Sequence, residues 1–592
     1  MLKRTSFYIL LIVLAAALFI NPNFKTIAAG IAILLFGMIM LEEGFKVFAK
    51  GSLQNILKKS TSKLYKSIST GAIATALIQS SSLVTVITIS FISAGLISLG
   101  SGMGLVFGAN IGTTATTWLV AAFGLKLNIS ALAMPMLVFG IIFSLQQKAN
   151  LKGLGSVLAG LGFFFLGIYY MKEGFEVFKD NIDLTTYALS GFLGVIVYSG
   201  IGIVITTILQ SSSASLALIL TALAAGQIEY ENALALSVGA NIGTTITAVI
   251  GSLSSNVAGK RLAGAHLIFN LLTGIIALAL IYPLANLVNS LSYRLGIEAY
   301  DYTLKLALFH TIFNVLGVIL MLPLIGFTEK LLIRTIKEKK DKGIEEPKYL
   351  NESILRFPST AISSLTKESK HLYENAIFEI VTHALNIHRE DIKSGIKAGR
   401  IVKNSKEDLK IDVRYLYYSK VKSIYSEIIK YVTLVQSTLK MTKDQSNSIS
   451  EILVANRKMV QIIKTVLELN RNVSKYSESD NLHIVKEYNK FRKKLVKVLR
   501  VIYLFRTEED KEYYYSKLLA LKKEMDAEKN QATMFINVLI NKNLITAEMA
   551  SSLVNDKDNL NEIIQNLIMV AELLYGQKDS LLENGEKNSV VS

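Results

Sequence analysis

The sequence contains no cysteine among its 592 residues. Disulfide bonds and thiolate metal sites are therefore excluded, and cysteine usage says nothing about the redox compartment. The sequence also lacks basic residues alternating with aromatic ones, the pattern that stacks nucleic-acid bases. The net charge of +17 therefore does not indicate a nucleic-acid partner. Basic residues beside apolar segments instead mark cytoplasmic loops that meet anionic lipid.

Charge is also scarce over long stretches of the chain before about residue 330. The chain is 51% hydrophobic, with a mean hydropathy of +0.41. Several apolar windows reach the roughly 17–25 residues that cross a bilayer as a helix, and others are long enough only for half-spans. Residues 1–20 carry Lys3 and Arg4 but no cleavage site, which predicts an uncleaved first helix with a cytoplasmic amino terminus. The sequence predicts an all-α, polytopic membrane protein.

After about residue 330 the sequence changes in character. Residues 331–350 form a charged linker, and residues 351–580 are charged, rich in Leu, Ile, Val and Tyr, and free of any spanning run. This composition predicts a soluble helical domain, which the basic stretch RTIKEKKDK (334–342) places in the cytoplasm. We expect residues 581–592 to be a disordered tail.

The membrane part, residues 1–330, contains an internal repeat. FGMIMLEEGFKVF (36–48) returns as LGIYYMKEGFEVF (166–178). IQSSS (78) returns as LQSSS (209), and GANIGTT (108) returns unchanged at 239. Three landmarks that recur in one order, at nearly one separation along the chain, indicate a duplicated unit. The predicted boundaries are about 25–150 for repeat 1, about 153–290 for repeat 2 and about 303–327 for a further span.

Loop charge predicts that the two copies have opposite orientations. The loop after the first landmark (49–66) carries five lysines, whereas its counterpart (179–187) carries two aspartates and one lysine. Since cytoplasmic loops are enriched in Lys and Arg, equivalent loops should lie on opposite sides of the membrane. Inverted repeats are typical of secondary transporters, with the substrate near the midplane where the copies meet.

The two QSSS segments predict the tips of re-entrant helical hairpins. A backbone break inside hydrocarbon is tolerated only where protein buries it or a polar cavity surrounds it. At such a tip, helix amino-terminal amides and serine hydroxyls can hold an anion without a cationic side chain. The GANIGTT segments complement them, because their glycines permit close helix approach or unwinding and their Asn and Thr oxygens suit sodium. Neither motif contains Arg or Lys, so co-bound cations must balance a multiply charged anion.

Alternative interpretations remain at each of these positions. Small and hydroxyl residues commonly pack membrane helices together, although duplication at matched spacing disfavours packing alone here. His266 with Asn270, and His310 with Asn314, each share a helix face, and could gate or line the site or form interhelical hydrogen bonds. Glu43 and Glu173 are repeat-related ionisable residues near span ends, either functional or merely interfacial.

These motifs together resemble the type II sodium-dependent inorganic phosphate cotransporters and their bacterial relatives over about residues 25–325. The resemblance implies sodium-coupled uptake of inorganic phosphate, with sodium as the coupling ion and no organic cofactor. It places phosphate and sodium at the two QSSS tips and their GANIGTT neighbours. The implied binding residues are Gln79, Ser80, Ser81, Ser82, Gln210, Ser211, Ser212 and Ser213, with Asn110, Thr113, Thr114, Asn241, Thr244 and Thr245 beside them.

The soluble domain is similar to the PhoU-like helical bundles with which bacterial members of this family often end. Its segment KEDLKID (406–412) resembles the acidic motif of those bundles, in which Glu407, Asp408 and Asp412 approach a metal. Asp408 and Asp412 are one helical turn apart and therefore share a helix face. An acidic pair at this spacing is also common on solvated helices.

The leading hypothesis is therefore a phosphate symporter of the bacterial inner membrane, not an enzyme, with both termini in the cytoplasm. Its expected partners are inorganic phosphate, sodium and the lipid bilayer; a homo-oligomer stays open, and nucleic acid is not expected. Two rivals remain: a transporter of another oxyanion such as sulfate or arsenate, and a membrane-anchored phosphate sensor that transports little. An enzyme is disfavoured because the spans offer no activated nucleophile, acid–base pair or metal-ligand cluster.

Overall fold

The computed structural model of the chain describes residues 15, 18–19, 22–49, 63–125, 129–181, 188–337, 346–350, 358–405 and 412–576. Regular structure within these ranges is entirely helical, which confirms the predicted all-α class. The described residues fall into two compact units, one up to residue 337 and one from residue 346 onward.

The first unit contains fourteen described helices. They are α1 (Pro22–Ala49), α2 (Leu64–Ile78), α3 (Ser81–Ser93), α4 (Leu99–Trp118), α5 (Ile129–Ser144), α6 (Ala149–Asn181), α7 (Gly191–Leu209), α8 (Ser212–Ala224), α9 (Tyr230–Gly243), α10 (Thr245–Ser252), α11 (Val257–Ala279), α12 (Ile281–Arg294), α13 (Tyr302–Met321) and α14 (Ile325–Thr335). A π-helical segment, Leu119–Gly124, continues α4, and a short 3₁₀ turn joins α13 to α14.

Seven stretches of the described chain are long and apolar enough to cross a membrane. They are Phe24–Phe45, Leu99–Gly124, Ala149–Val177, Gly191–Leu209, Tyr230–Ser252, Val257–Ala279 and Tyr302–Thr335. Helices α3 and α8 are equally apolar but have 13 residues each, roughly 20 Å at 1.5 Å per residue, which is too short for a 30 Å core. This length fits the predicted half-spanning hairpins.

Both hairpins break at the glutamine of QSSS. Gln79 and Gln210 have left-handed backbone conformations, with φ of 60° and 53°. Each ends the preceding helix, and its backbone amide donates to Thr75 O or Thr206 O. A left-handed residue closes a helix by satisfying its last carbonyls, so the chain turns there without leaving those groups in hydrocarbon.

The repeated landmark helices α1 and α6 pack against each other along rows of glycine. An added Cβ at Gly30, Gly37 or Gly44 would lie 2.6, 2.4 or 2.7 Å from atoms of Met171, Phe164 or Val157. Because the partner's residue numbers fall as those of α1 rise, the two helices run antiparallel. The first helices of the two copies are therefore inverted relative to each other, which supports the inverted topology predicted from loop charge.

Each copy also contains a close glycine contact of its own, between the first helix of its hairpin and its GANIGTT helix. A Cβ on Gly71 would lie 2.0 Å from Leu105 O, and a Cβ on Gly108 equally close to Ile68 O. The repeat-related Gly202 and Gly239 make the same approach between α7 and α9. The GANIGTT glycines thus serve close helix approach, and each hairpin's first helix lies directly against the GANIGTT helix of its own copy.

The second unit is a bundle of amphipathic helices. They are α15 (Pro358–Leu372), α16 (Phe378–Ala384), α17 (Arg389–Lys393), α18 (Ala398–Asn404), α19 (Val413–Leu416), α20 (Ser423–Thr438), α21 (Lys443–Ser477), α22 (Leu482–Thr507), α23 (Lys511–Asn541) and α24 (Ala547–Tyr575). The long helices bury aliphatic stripes, such as Ile452, Met459 and Val466 of α21, at the spacing of an α-helix.

The inverted topology can be tested with single cysteines, because the chain has none of its own. Ser98 and Glu229 are repeat-related, exposed residues that precede α4 and α9. We expect Glu229→Cys to react with a membrane-impermeant maleimide in intact cells, and Ser98→Cys to react only in inside-out vesicles. Labelling of both cysteines from the same side would contradict inversion.

Candidate functional site

The residues of each QSSS segment occupy different positions at the two helix ends that meet there. The glutamine ends the first helix, and the first serine, Ser80 or Ser211, is the N-cap of the second. Its hydroxyl accepts the amide of Leu83 or Ala214 at 3.2 Å. The second serine, Ser81 or Ser212, is buried in the first turn. The first serines are thus already engaged as caps, which leaves the second and third for other partners.

Each tip also presents backbone donors. The first four amides of a helix have no intrahelical acceptor, and here the caps satisfy the third amide of each helix. Among the described backbone hydrogen bonds, none uses the amides of Ser81, Ser82, Ser212 or Ser213. The helix dipole adds partial positive charge at the same place. Each tip therefore combines two amides and two hydroxyls in a form suited to an anion.

The third serine of each segment contacts the opposite copy. Ser82 Oγ lies 3.4 Å from Thr247 Oγ1, and Ser213 Oγ donates to Thr116 Oγ1 at 3.4 Å. The two contacts are related by the repeat, because Ser82 corresponds to Ser213 and Thr116 corresponds to Thr247. The two hairpin tips and the two GANIGTT helices therefore meet in one pseudo-symmetric cluster.

Thr116 and Thr247 are site residues that the sequence analysis missed. It stopped at the last letters of GANIGTT, although the repeated pattern extends to GANIGTTxT at 108–116 and 239–247. Thr116 is 3% exposed and also donates to Gln79 Oε1 at 2.6 Å. It thereby links the glutamine of its own copy to the serine of the other.

The remaining GANIGTT residues line the same helices and are buried. Each of their four threonine hydroxyls donates to a backbone carbonyl three or four residues earlier, which leaves its lone pairs available as potential cation ligands. These residues are Asn110, Thr113, Thr114, Asn241, Thr244 and Thr245.

The asparagines of GANIGTT are held by the two His–Asn pairs. Asn110 Nδ2 donates to Asn270 Oδ1 at 3.1 Å, and Asn241 Nδ2 donates to Asn314 Oδ1 at 2.9 Å. Asn270 in turn bonds His266 Nε2 at 2.9 Å. Interhelical hydrogen bonding, one of the two roles predicted for these pairs, is therefore present; gating remains a prediction.

His310 completes the second link. Its Nδ1 lies 2.9 Å from Thr117 Oγ1, and its backbone carbonyl accepts Asn314 Nδ2 at 2.8 Å. Helix α13 is thus bonded to the GANIGTT helices of both copies, through Thr117 in one and Asn241 in the other.

The two halves of the cluster differ in detail. Gln79 is partly buried and accepts a hydrogen bond from Thr116, whereas Gln210 is exposed, and no hydrogen bond of its side chain is found among the described residues. Helix α4 continues through GANIGTT, whereas in the second copy the α-helix is interrupted at Thr244. The pseudo-symmetry is therefore broken at the two glutamines and at the helix that carries GANIGTT.

The other predicted residues lie elsewhere. Glu43 and Glu173 are exposed on α1 and α6. In the second unit, Glu407 and Asp408 lie outside the described residues, and Asp412 accepts the amide of Tyr415 at 2.9 Å as the N-cap of α19. Within the described ranges no group of three His, Cys, Asp or Glu side chains could hold a metal ion.

The comparison with known proteins finds matches that lie mainly in the repeated membrane part of the chain. The profile of the Na+/Pi-cotransporter family matches residues 33–173 and 188–292. The "Uncharacterized protein YqeW" of Bacillus subtilis is 31% identical over 314 residues, 52% of this chain and 97% of that protein. The "Putative inorganic phosphate export protein YjbB" of Salmonella typhimurium is 29% identical over 345 residues, 57% of this chain. The match spans only 61% of the Salmonella protein.

A shorter match connects the chain to a mammalian protein. The "Sodium-dependent phosphate transport protein 2C" of Mus musculus is 38% identical over 112 residues, 18% of each chain. No solved structure matches the chain.

Apolar spans, a duplicated unit and paired polar hairpin tips define a multi-pass membrane protein of the transporter class. The chain belongs to the Na+/Pi-cotransporter family.

Thr116 contacts both Gln79 and Ser213, so its substitution tests the difference between the two copies. Thr116→Val removes the donor to Gln79 and leaves a partly buried amide oxygen unsatisfied, at a cost of about 1–3 kcal/mol. Thr247→Val loses the 3.4 Å contact with Ser82 and the 2.7 Å hydrogen bond that its hydroxyl donates to Thr244 O, but this carbonyl still accepts the Thr247 amide at 3.2 Å. We expect Thr116→Val to lower the thermal unfolding midpoint of the purified protein more than Thr247→Val does, with the exposed Thr433→Val as control. Equal effects of the two variants would contradict this asymmetry.

Proposed function

We propose that this protein carries inorganic phosphate into the cell by sodium-coupled symport with alternating access. The observation that carries the proposal is the pair of contacts between each hairpin tip and the opposite copy, Ser82 to Thr247 and Ser213 to Thr116. A single site shared by two inverted copies is the arrangement expected of a secondary transporter.

Phosphate fits the donor set of the two tips. Four amides and four hydroxyls, those of Ser81, Ser82, Ser212 and Ser213, offer hydrogen bonds from two opposed directions to a tetrahedral oxyanion. No cationic side chain takes part in any contact described for the tips. Partial charges from two helix ends balance about one negative charge at most, so a doubly charged phosphate needs further positive charge.

Sodium supplies that charge in the proposed mechanism. Sodium is a hard cation that prefers oxygen ligands, and the GANIGTT helices offer hydroxyl and amide oxygens beside both tips. Thr113, Thr114, Thr244 and Thr245 already donate their protons to backbone carbonyls, so their oxygens can act only as acceptors towards a cation. Coupling follows because neither the anion nor the cation is well compensated without the other.

Alternating access follows from the difference between the two tips. In the structure the side chain of Gln79 accepts a hydrogen bond from Thr116, whereas that of Gln210 is exposed. In the proposed mechanism, exchanging these two arrangements between the copies moves the access path from one face of the membrane to the other. The antiparallel α1–α6 pair is the scaffold against which the hairpins would move.

The direction of net transport depends on the gradients, because a symporter is reversible. The Salmonella relative carries the name of a phosphate export protein, whereas the mouse relative is named for sodium-dependent phosphate transport. With sodium high outside, coupled symport drives phosphate inward. Export would require outward driving forces or a different coupling ion.

We also propose that the second unit is a regulatory helical domain similar to PhoU. Residues 346–576 lie beyond the match to the family profile, and their described part is a helical bundle. The sensor alternative differs from the symporter in one measurable property, which is that it binds phosphate without moving it.

Reconstituted protein tests the function directly. In liposomes with labelled phosphate outside, we expect uptake that rises at least tenfold when an inward sodium gradient replaces an inward potassium gradient. Excess unlabelled sulfate should leave uptake unchanged, and excess arsenate, which is nearly isosteric with phosphate, should compete. Uptake that ignores sodium contradicts coupling, and binding without uptake supports the sensor instead.

Two serine variants test whether the hairpin tips take part in transport. Ser81→Ala and Ser212→Ala each remove one buried hydroxyl at a tip, and we expect either to abolish uptake while the thermal unfolding midpoint stays within a few degrees of that of the unmodified protein. The exposed Ser98→Ala, on the same unit, should transport normally. Normal uptake by both tip variants would mean that these serines only pack the hairpins.

A further inference from the structure

A small recess in the second unit is lined by cationic and aromatic side chains from three helical segments. Its walls are Tyr373, Phe378, Arg389, Lys393, Ile502, Tyr503 and Arg506, and as these side chains stand the space between them does not admit a water molecule. Lys393 and Arg506 keep 26% and 22% of their side-chain surface exposed, so a ligand would enter where these two side chains move aside.

Two polar groups in this recess are buried and have no hydrogen-bond partner within the described chain. They are the hydroxyl of Tyr373, a residue that is 1% exposed, and Nε of Arg389. A buried polar group without a partner costs about 1–3 kcal/mol, and native structures contain few of them. Two such groups on one recess are donors that a bound hydrogen-bond acceptor would satisfy.

A ligand that satisfies these donors must accept hydrogen bonds. Arg389, Lys393 and Arg506 can only donate. Burial raises the pKa of the Tyr373 hydroxyl, which therefore keeps its proton and can donate as well. The recess thus presents four donors, three of them positively charged.

Neighbouring carboxylates do not use up these donors. Glu374 Oε1 lies 3.2 Å from Arg506 Nη1, and Glu390 Oε1 lies 2.7 Å from Lys393 Nζ. Within the described ranges Arg389 makes no such ion pair, and its guanidinium lies over the Phe378 ring, 5.6 Å from the ring centroid. With three cations against two carboxylates, the recess keeps a net positive charge centred on Arg389.

Hydrogen bonds also hold the backbone on two sides of the recess in place. Arg500 of α22 donates to the carbonyls of Asp391, Ile392 and Ile396 at 3.1, 2.9 and 2.6 Å. These bonds tie the short helix α17, which carries Arg389 and Lys393, to α22, which carries Arg506. Donors fixed before a ligand arrives lose less entropy when it binds.

We propose that this recess binds a phosphoryl oxyanion, with Arg389 and the Tyr373 hydroxyl as its central ligands. Arginine matches the geometry of phosphate oxygens with paired N–H donors. The phosphoryl group comes either from free phosphate or from a nucleotide, and the experiment below distinguishes these two sources. The site is separate from the hairpin tips and does not depend on the transport proposal.

Hydrogen–deuterium exchange on the full chain in lipid nanodiscs locates the binding. We expect inorganic phosphate or ATP, each without sodium, to slow exchange in peptides covering 373–393 and 500–507. Protection by phosphate alone identifies free phosphate as the ligand, and protection by ATP only identifies a nucleotide. Protection confined to peptides around residues 76–85 and 209–216 would belong to the transport site and would overturn this proposal, as would no protection at all.

Variants separate a ligand site from a merely structural cluster. Arg389→Gln should abolish the protection, and Tyr373→Phe should raise the half-saturating concentration about tenfold, the usual effect of losing one hydrogen bond to a charged group. The exposed Arg414→Gln is the matched control and should bind like the unmodified protein. Unchanged protection in both Arg389→Gln and Tyr373→Phe would refute the proposal.

Discussion

A helix that stops halfway through hydrocarbon leaves backbone groups that no lipid can satisfy, and the membrane unit is arranged around two such ends. Gln79 and Gln210 close the carbonyl side with left-handed turns, and Ser80 and Ser211 cap part of the amide side. The third serines, Ser82 and Ser213, then meet Thr247 and Thr116 of the opposite copy. One constraint thus explains the turns and the caps, and the amides that stay unbonded beside them in the described chain are the donors of the proposed anion site.

Close packing makes this meeting possible. Glycines let α1 lie against α6 and let each hairpin lie against its GANIGTT helix, at distances that any Cβ would prevent. The His–Asn pairs then fix the buried asparagines by hydrogen bonds between helices. The residues nearest the cluster are therefore held by backbone contact and by hydrogen bonds of side-chain amides, whereas among the described residues the hydroxyls of Ser82 and Ser213 make only 3.4 Å contacts that a ligand can replace.

Much of this architecture was predictable from repetition, because duplicated motifs report shared structure, whereas the sidedness predicted from lysine-rich loops stays a prediction. The half-span hairpins and their break at QSSS followed from the same patterns. Thr116 and Thr247 were missed because contact across copies depends on how the helices face each other, which spacing alone does not fix. The asymmetry between Gln79 and Gln210 was not predictable from segments of identical sequence, nor was the recess around Arg389, whose residues come from distant parts of the chain.

The central claim is that both hairpin tips hold one phosphate together with sodium. A cryo-EM map of the full chain in nanodiscs with phosphate and sodium tests it most directly. We predict density for one oxyanion between Ser82 and Ser213, within hydrogen-bond distance of both, that disappears when choline replaces sodium. Density at a single tip, at neither tip, or unchanged without sodium would contradict the account.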